Sequence, residues 1–394
     1  AGLTPSIFDL CTNVEKAVQL VDKVERRGVD ELAKAQRYQA SIESSQAELE
    51  LANAPASVVQ SYRRTSFSGI TKRQEGREGN AKAAGFIGDE SGQDETLIDM
   101  SLLGVGAHQY AAHNVPTGLP EGVDMPLARV PGGTYFGRVM HKVYEVVDTS
   151  KDLRAEVTRA IDIHASSALL RPFRDQLIEG VIASYRTPLG MPFYGKALAD
   201  IAPSDRLSEL DFEMSLANLS KGVLASDIGK SLKASLETND LLYAYADTLS
   251  DSSFDIPLAG LLNGSIDAVI RVHTEDGSPR LFITDYKTNR LDGDEDVSLI
   301  EAYAPERLVA AMEHHHYPLQ ALLYGTAIYR MLRWRQPSMN ADEVIAGIAY
   351  FFVRGMVGAE SLKDADGMRY GVFQWKAPVG LWEKLSNLFA GDRP

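Results

Sequence analysis

Residues 261–289 read LLNGSIDAVIRVHTEDGSPRLFITDYKTN. Two β-rich runs, about 260–274 and 280–287, flank Glu275-Asp276-Gly277-Ser278. An Asp-Gly pair between such runs predicts a hairpin. Asp267 lies inside Ile266-Asp-Ala-Val-Ile270, which otherwise reads as buried strand. A carboxylate buried there needs a cation or a hydrogen-bond network, because an unpaired one is costly or shifts its pKa. In the second run Leu281, Ile283, Asp285 and Lys287 share one face, since strand side chains alternate with period two. An acid and an amine thus emerge together at the end of an apolar face, and the turn brings Asp267 alongside. Two carboxylates and a lysine at strand ends suit a hard divalent cation with oxygen ligands. An isolated Asp-x-Lys is ordinarily a surface ion pair, and only the apolar surroundings of both acids weigh against that reading here.

Working outward, a strand is expected at 207–216, LSELDFEMSL, where Leu207, Glu209, Asp211 and Glu213 alternate with Ser208, Leu210, Phe212 and Met214. Upstream, a helix beginning near Thr134 carries Phe136, Met140, Val143 and Val147 on one stripe, joined by Val139 and Tyr144. More helix follows from Lys151 to about Tyr185, in two or more pieces. Downstream, a helix starting at Pro318 presents Leu319, Leu322, Leu323, Ala327 and Met331. The run VIAGIAYFFVRG at 344–355 reads as a final buried strand before a helix near 379–390. A single crossover helix before that strand predicts one parallel pairing in a mixed α/β domain.

The rest of the 394-residue chain carries no chemistry of its own. Residues 5 to about 60 read as helices with a mostly polar surface, and 71–99 as a Gly-rich, mixed-charge linker or mobile loop. Acidic residues exceed basic ones by 54 − 40 = 14, against a simple basic DNA-coating protein. A lone Cys11 excludes an internal disulfide framework and Cys-based metal sites. Neither a membrane-length apolar run nor a secretory signal is present, so the expected location is the cytoplasm. The missing initiator methionine suggests a processed chain or a fragment. There is no GxxxxGK[ST] P-loop, so this stretch is not expected to hydrolyse ATP.

GSIDAVIR, ITDYKTN, YPLQALLYGTAIYRMLRWR and AYFFVRGM, in that order, resemble the nuclease domain of RecB-type helicase–nucleases, within the PD-(D/E)xK superfamily. RRTSFSGITKR resembles the segment leading from helicase into nuclease, FGRVMHKVYE the helix bearing the family's metal-binding histidine, and RLSELDFEMSL its first core strand. The similarity runs through about residues 60–392 in consistent order.

The resemblance implies a restriction-endonuclease-like α/β core, a mixed sheet flanked by helices. It divides the chain into a helical segment at 1–63, an irregular linker or tether at 64–130 and the nuclease domain at 131–394. It implies Mg²⁺ held by His141, Asp267, Asp285 and the backbone carbonyl of Tyr286. Lys287 would orient the attacking water, with Gln320 and Tyr324 beside it and Glu209 or Asp211 as the acid of the first strand, Glu209 preferred. The implied activity is hydrolysis of linear DNA, exonuclease-like, in double-strand break repair and recombination. The implied partners are RecC-like and RecD-like subunits, with RecA downstream. An AddA-type nuclease domain, or the same fold kept as a non-catalytic docking module, are the alternatives. On the residues alone, His314, His315 and His316 read as solvated or phosphate-facing, Arg354 as solvated or touching DNA phosphate, and Trp334 as packing or a subunit contact.

Overall fold

The computed structural model describes residues 64–79, 123–217, 222–291 and 299–391, and the helices expected over 5–60 lie outside them. The hairpin forms as expected: β3, Leu261–His273, and β4, Pro279–Lys287, pair antiparallel around a turn in which Gly277 takes a φ of 82°. Only glycine enters that region without strain. Strand β2, Arg206–Ser215, pairs antiparallel along the other edge of β3. Strand β5, Ile345–Phe352, runs parallel to β4 after the expected helical crossover, and is buried on both faces as its unbroken apolar run requires. Two strands escaped the sequence reading. Arg64–Thr65, β1, pairs parallel with Leu261 and Leu262, and Val372–Trp375, β6, pairs antiparallel with β5. Both are too short to show alternation.

Helices cover both faces of this sheet. Against one face pack α2, Thr134–Val146, and α4, Arg174–Arg186, with α3, Leu153–His164, beside them. Their Phe136, Met140, Val143, Tyr144 and Val181 meet Ala268, Ile270, Val272, Phe282 and Phe351. The other face holds α8, Tyr317–Arg335, buried nearly all round as far as Tyr329. Around α8 lie α5, Ala225–Lys233, α6, Tyr243–Ser250, α7, Pro305–His314, and α9, Leu381–Ala390. This second core takes in Leu262, Ile266, Val269, Ile283, Ile348 and Phe352. The assignments of Ile348, Ala349, Phe351 and Phe352 to opposite cores follow the period-two alternation of a strand.

The stretch 64–130, expected to be irregular tether, is ordered at both ends. Ser66 accepts from the Gly69 N–H to open α1, Phe67–Gly79, and Phe67 and Ile70 are buried. A single 3₁₀ turn, Pro126–Arg129, buries Leu127, and Met125 and Val130 beside it are buried too. Scattered apolar residues looked like linker because each anchors a short segment rather than a periodic face.

Arg354 corrects a second expectation. Neither solvated nor free to meet a phosphate, it is 2% exposed. It donates to the carbonyl oxygens of Thr288 at 2.8 Å, Val130 at 2.9 Å and Pro131 at 3.3 Å, and to that of Leu127. A guanidinium with five donors is suited to collecting carbonyls that no strand satisfies. Trp334 is likewise not packed. It is 74% exposed, with the Arg335 guanidinium 4.5 Å from its ring centroid.

Candidate active site

Strands β3 and β4 pair only as far as Ala268 and Thr284, and β1 takes the same edge of β3 at Leu261 and Leu262. Between these two partners the edge of β3 is open, and a cleft of about 630 Å³ occupies the fork. Its lining includes Ser66 and Ser68 at the start of α1, Arg138 and His141 from α2, and Gln320 and Tyr324 from α8. Helices from both layers therefore reach one opening in the sheet.

The β2–β3 ladder changes at the same place. Ser208 pairs with Ala268 and Leu210 with Ile266, but Glu209 turns out of the ladder with a φ of 48°. Opposite it, β3 shifts its alternation by one. Ile266 and Val269 belong to the core under α8, while Ala268 and Ile270 belong to the other. A non-glycine residue in the left-handed region is uncommon and strained, and such strain concentrates at functional sites. Here it directs the Glu209 carboxylate toward Asp267.

Donor atoms of His141, Glu209 and Asp267 all lie within 4.8 Å of one another. His141 Nδ1 is 3.2 Å from Asp267 Oδ2, and the same oxygen accepts from the Tyr286 N–H at 2.8 Å. Ser265 donates to Glu209 at 3.3 Å. Asp285 lies outside this trio. Its Oδ1 is 2.9 Å from Lys287 Nζ, with both side chains at most 6% exposed. On α8, one turn apart, Gln320 Nε2 donates to Tyr324 Oη at 3.2 Å, and both residues are buried. The Tyr286 ring points away and stacks on Tyr144 at 4.2 Å. Of the two acids proposed on the first strand, Glu209 joins the cluster and Asp211 is exposed.

The charges are those of a site built for a cation. Burial, and then the charge of Asp267, push the Asp285 carboxyl up to about 7. Burial and Asp267 likewise raise the Glu209 carboxyl. Burial would lower the His141 imidazole, but Asp267, as charge and hydrogen-bond partner, outweighs it and holds the ring up at about 9. Burial works to raise Asp267 itself, and His141 overrides this to keep it below the usual range. Glu209, Asp211, Asp267 and Asp285 line the cleft with His141, Lys287, Lys142 and Arg138, and the converging donors of His141, Glu209 and Asp267 fit a hard divalent ion with oxygen and imidazole ligands.

Gly264 keeps the cleft wall thin. A Cβ there would sit 2.9 Å from the Phe212 ring and 3.3 Å from that of Tyr324, which meet edge-on at 5.6 Å. We expect Gly264→Val to force Tyr324 off Gln320 and to slow the chemistry of the site about tenfold or more. Turnover measured beside an unchanged far-ultraviolet circular dichroism spectrum checks this.

Several residues that support the site lie inside the quoted segments, yet nothing in their local pattern announces a role. Asn289 Oδ1 accepts from Tyr317 Oη at 3.1 Å, and Tyr350 Oη donates to Gln320 Oε1 at 2.9 Å. Of the three histidines, His314 is exposed, while His315 stacks on Tyr317 and His316 contacts Tyr245 Oη at 3.2 Å. They form no metal cluster among the described residues.

No protein-family model matches the chain. Curated relatives do. It is 36% identical over 342 residues to the RecBCD enzyme subunit RecB of Mycolicibacterium smegmatis, covering 84% of this chain and 29% of that protein. The subunit of the same name from Mycobacterium tuberculosis is 36% identical over 347 residues, again 84% and 29%. That of Escherichia coli is 26% identical over 265 residues, 66% of this chain and 19% of that protein. The chain thus spans under a third of the length of the relatives it matches. Among the described residues, no helix is long and apolar enough to cross a membrane.

Proposed function

The chain belongs with the RecB family, as a stretch homologous to one part of that larger subunit, and on that premise we propose that it is a Mg²⁺-dependent nuclease acting on DNA. The observation that carries this reading is the meeting of His141, Glu209 and Asp267 beside the buried Asp285–Lys287 pair in an open cleft. His141, Asp267 and Glu209 would hold the ion, with Asp285 and the Tyr286 carbonyl contributing from β4. Bound there, Mg²⁺ would supply Lewis acidity and neutralise charge on the scissile phosphate.

The chain's own groups do the rest. The Tyr286 N–H and His141 fix the orientation of Asp267 by holding one of its oxygens. Lys287, facing Asp285 at 2.9 Å, orients a water for attack on phosphorus and offsets negative charge as it builds on the non-bridging oxygens. The new P–O bond forms as the bond to the leaving sugar oxygen breaks, the water's proton passes to solvent or to a site carboxylate, and the departing sugar oxygen takes up a proton from solvent. Gln320 and Tyr324 close the wall opposite and restrict how the strand lies. In the full assembly this segment would degrade linear DNA at double-strand breaks, alongside RecC-like and RecD-like subunits and upstream of RecA.

The test is incubation of the chain with end-labelled linear single- and double-stranded DNA, with Mg²⁺ or with EDTA. Cleavage in Mg²⁺ alone supports the reading, and intact DNA in both, with partner subunits present, removes it.

Metal affinity should depend on pH with a defined sign. Because His141 sits at about 9, it is protonated at neutral pH and its proton competes with a cation. The ion pair with Asp267 stabilises the metal-free fold fully below the unfolded histidine value, and this is lost as pH rises through about 9. Mn²⁺ or Mg²⁺ affinity should therefore increase from pH 7 toward 9, by up to about tenfold per unit. Calorimetry in buffers of different ionisation enthalpy should register proton release, and His141→Ala should flatten the dependence. Affinity independent of pH in the unsubstituted chain would remove His141 from the ligand set.

A further inference from the structure

The Lys287 ammonium is gripped on a second side. Its Nζ lies 3.9 Å from the Tyr317 ring centroid and 5.5 Å from that of Tyr350. An ammonium on a four-carbon stem has no directional preference of its own, so surrounding groups decide where it rests. An aromatic face attracts a cation electrostatically, and more strongly where water is excluded.

The Tyr317 ring is itself held. Its hydroxyl donates to Asn289 Oδ1 at 3.1 Å, and Asn289 Nδ2 is 3.3 Å from His315 Nε2. The ring stacks on His315 at 5.1 Å and on Tyr350 at 5.8 Å, the planes within 23° in both cases. Tyr317 is the first residue of α8, directly after His316 with a φ of 55°. That sharp entry delivers the ring to the end of β4, where Asn289 lies two residues beyond Lys287.

We infer that Tyr317 is a positioning residue for the nuclease reaction proposed above, its ring face fixing the Lys287 ammonium and its hydroxyl, through Asn289, fixing the ring. The inference rests on that reading for its catalytic consequence but not for the contact itself. The Asp285 carboxylate meets the ammonium at 2.9 Å, and the ring face adds a restraint from a second direction. A displacement near 1 Å at a reacting group can lower a rate about a hundredfold.

Two readouts test it on the full chain. In NMR spectra the Lys287 side-chain protons, assigned by their disappearance in Lys287→Met, should be shifted upfield by the ring. The shift should shrink in Tyr317→Phe, which keeps the ring but loses its anchor, and fall further in Tyr317→Leu, to what the Tyr350 ring at 5.5 Å supplies. In Mg²⁺-dependent cleavage, Tyr317→Leu should lose roughly 10- to 100-fold in kcat with KM for DNA unchanged, and Tyr317→Phe should recover part of it. In a Lys287→Met background Tyr317→Leu should cost nothing further.

An upfield shift as large in Tyr317→Leu as in the unsubstituted chain, or the same fold-loss with and without Lys287, overturns the inference. Should Tyr317→Leu fail to fold, Asn289→Ala keeps the ring but removes its anchor. A smaller upfield shift there, as in Tyr317→Phe, supports the arrangement, and an unchanged shift counts against it. If the unsubstituted chain leaves DNA intact, the nuclease reading falls while the lysine signal still decides the contact.

Discussion

Asp285→Ala and Asp267→Ala should each reduce Mg²⁺-dependent DNA cleavage by on the order of 10²–10³-fold or more, the size of effect seen when a group stabilising transition-state charge is removed. Their side effects should differ. Asp267 ties His141 to β4 through one oxygen, so its removal frees the imidazole and the Tyr286 N–H together. His141 should then lose its elevated titration and fall back toward or below ordinary histidine, since burial is the opposing influence. Removing Asp285 leaves Lys287 buried without its carboxylate, and a buried charge stripped of its partner is destabilising. Asp285→Asn, which keeps the shape and some hydrogen bonding, should fold better than the alanine variant yet cleave as poorly. Initial rates on labelled linear DNA, with the histidine titration followed by NMR, separate these outcomes. Unimpaired cleavage by both variants would place the chemistry elsewhere.

The largest loss of stability should come from Arg354, outside the chemistry. It is buried and gathers the carbonyls of Thr288, Leu127, Val130 and Pro131, with Phe136 under its guanidinium at 4.5 Å. Deleting the donor leaves buried acceptors without partners, and such losses cost more than the bonds contributed. We expect Arg354→Leu to destabilise the domain by about 3 kcal/mol or more. Arg354→Lys, with three donors on a point charge instead of a planar fork, should recover only part. Urea unfolding should give a lower midpoint with an unchanged slope. Because Thr288 directly follows Lys287, the milder variant should also cleave DNA more slowly. A midpoint within experimental error of the parent's would show that the four carbonyls find other donors.

The two aspartates and Arg354 mark how far local pattern reaches. The Asp267 and Asp285–Lys287 constellation was legible because strand alternation and an Asp-Gly turn are local signals. Register then followed, and Ala268 opposite Thr284 carries Asp267 to Asp285. The helix bearing His141 was legible from its apolar stripe, and the position of the histidine beside Asp267 only from resemblance. Arg354 was misread because a strand-terminal arginine carries no sign of burial when its partners are backbone carbonyls, two of them, Leu127 and Val130, in a stretch that looked like linker.

By itself the sequence determined the elements that build the sheet and the helices beside it: the β3–β4 hairpin, the buried β5, the α2 stripe and the long α8. Each is written in periodicity and turn chemistry within a few tens of residues. Tertiary structure alone decided where the sheet opens, how Glu209 leaves the ladder to enter the cluster while Asp211 stays exposed, that β1 and α1 close one end of the cleft, and that Tyr317 lies over Lys287. The reason is range. A left-handed residue inside a strand, a two-residue parallel pairing and a ring set against an ammonium thirty residues away each depend on contacts between segments distant in sequence, which no local pattern encodes.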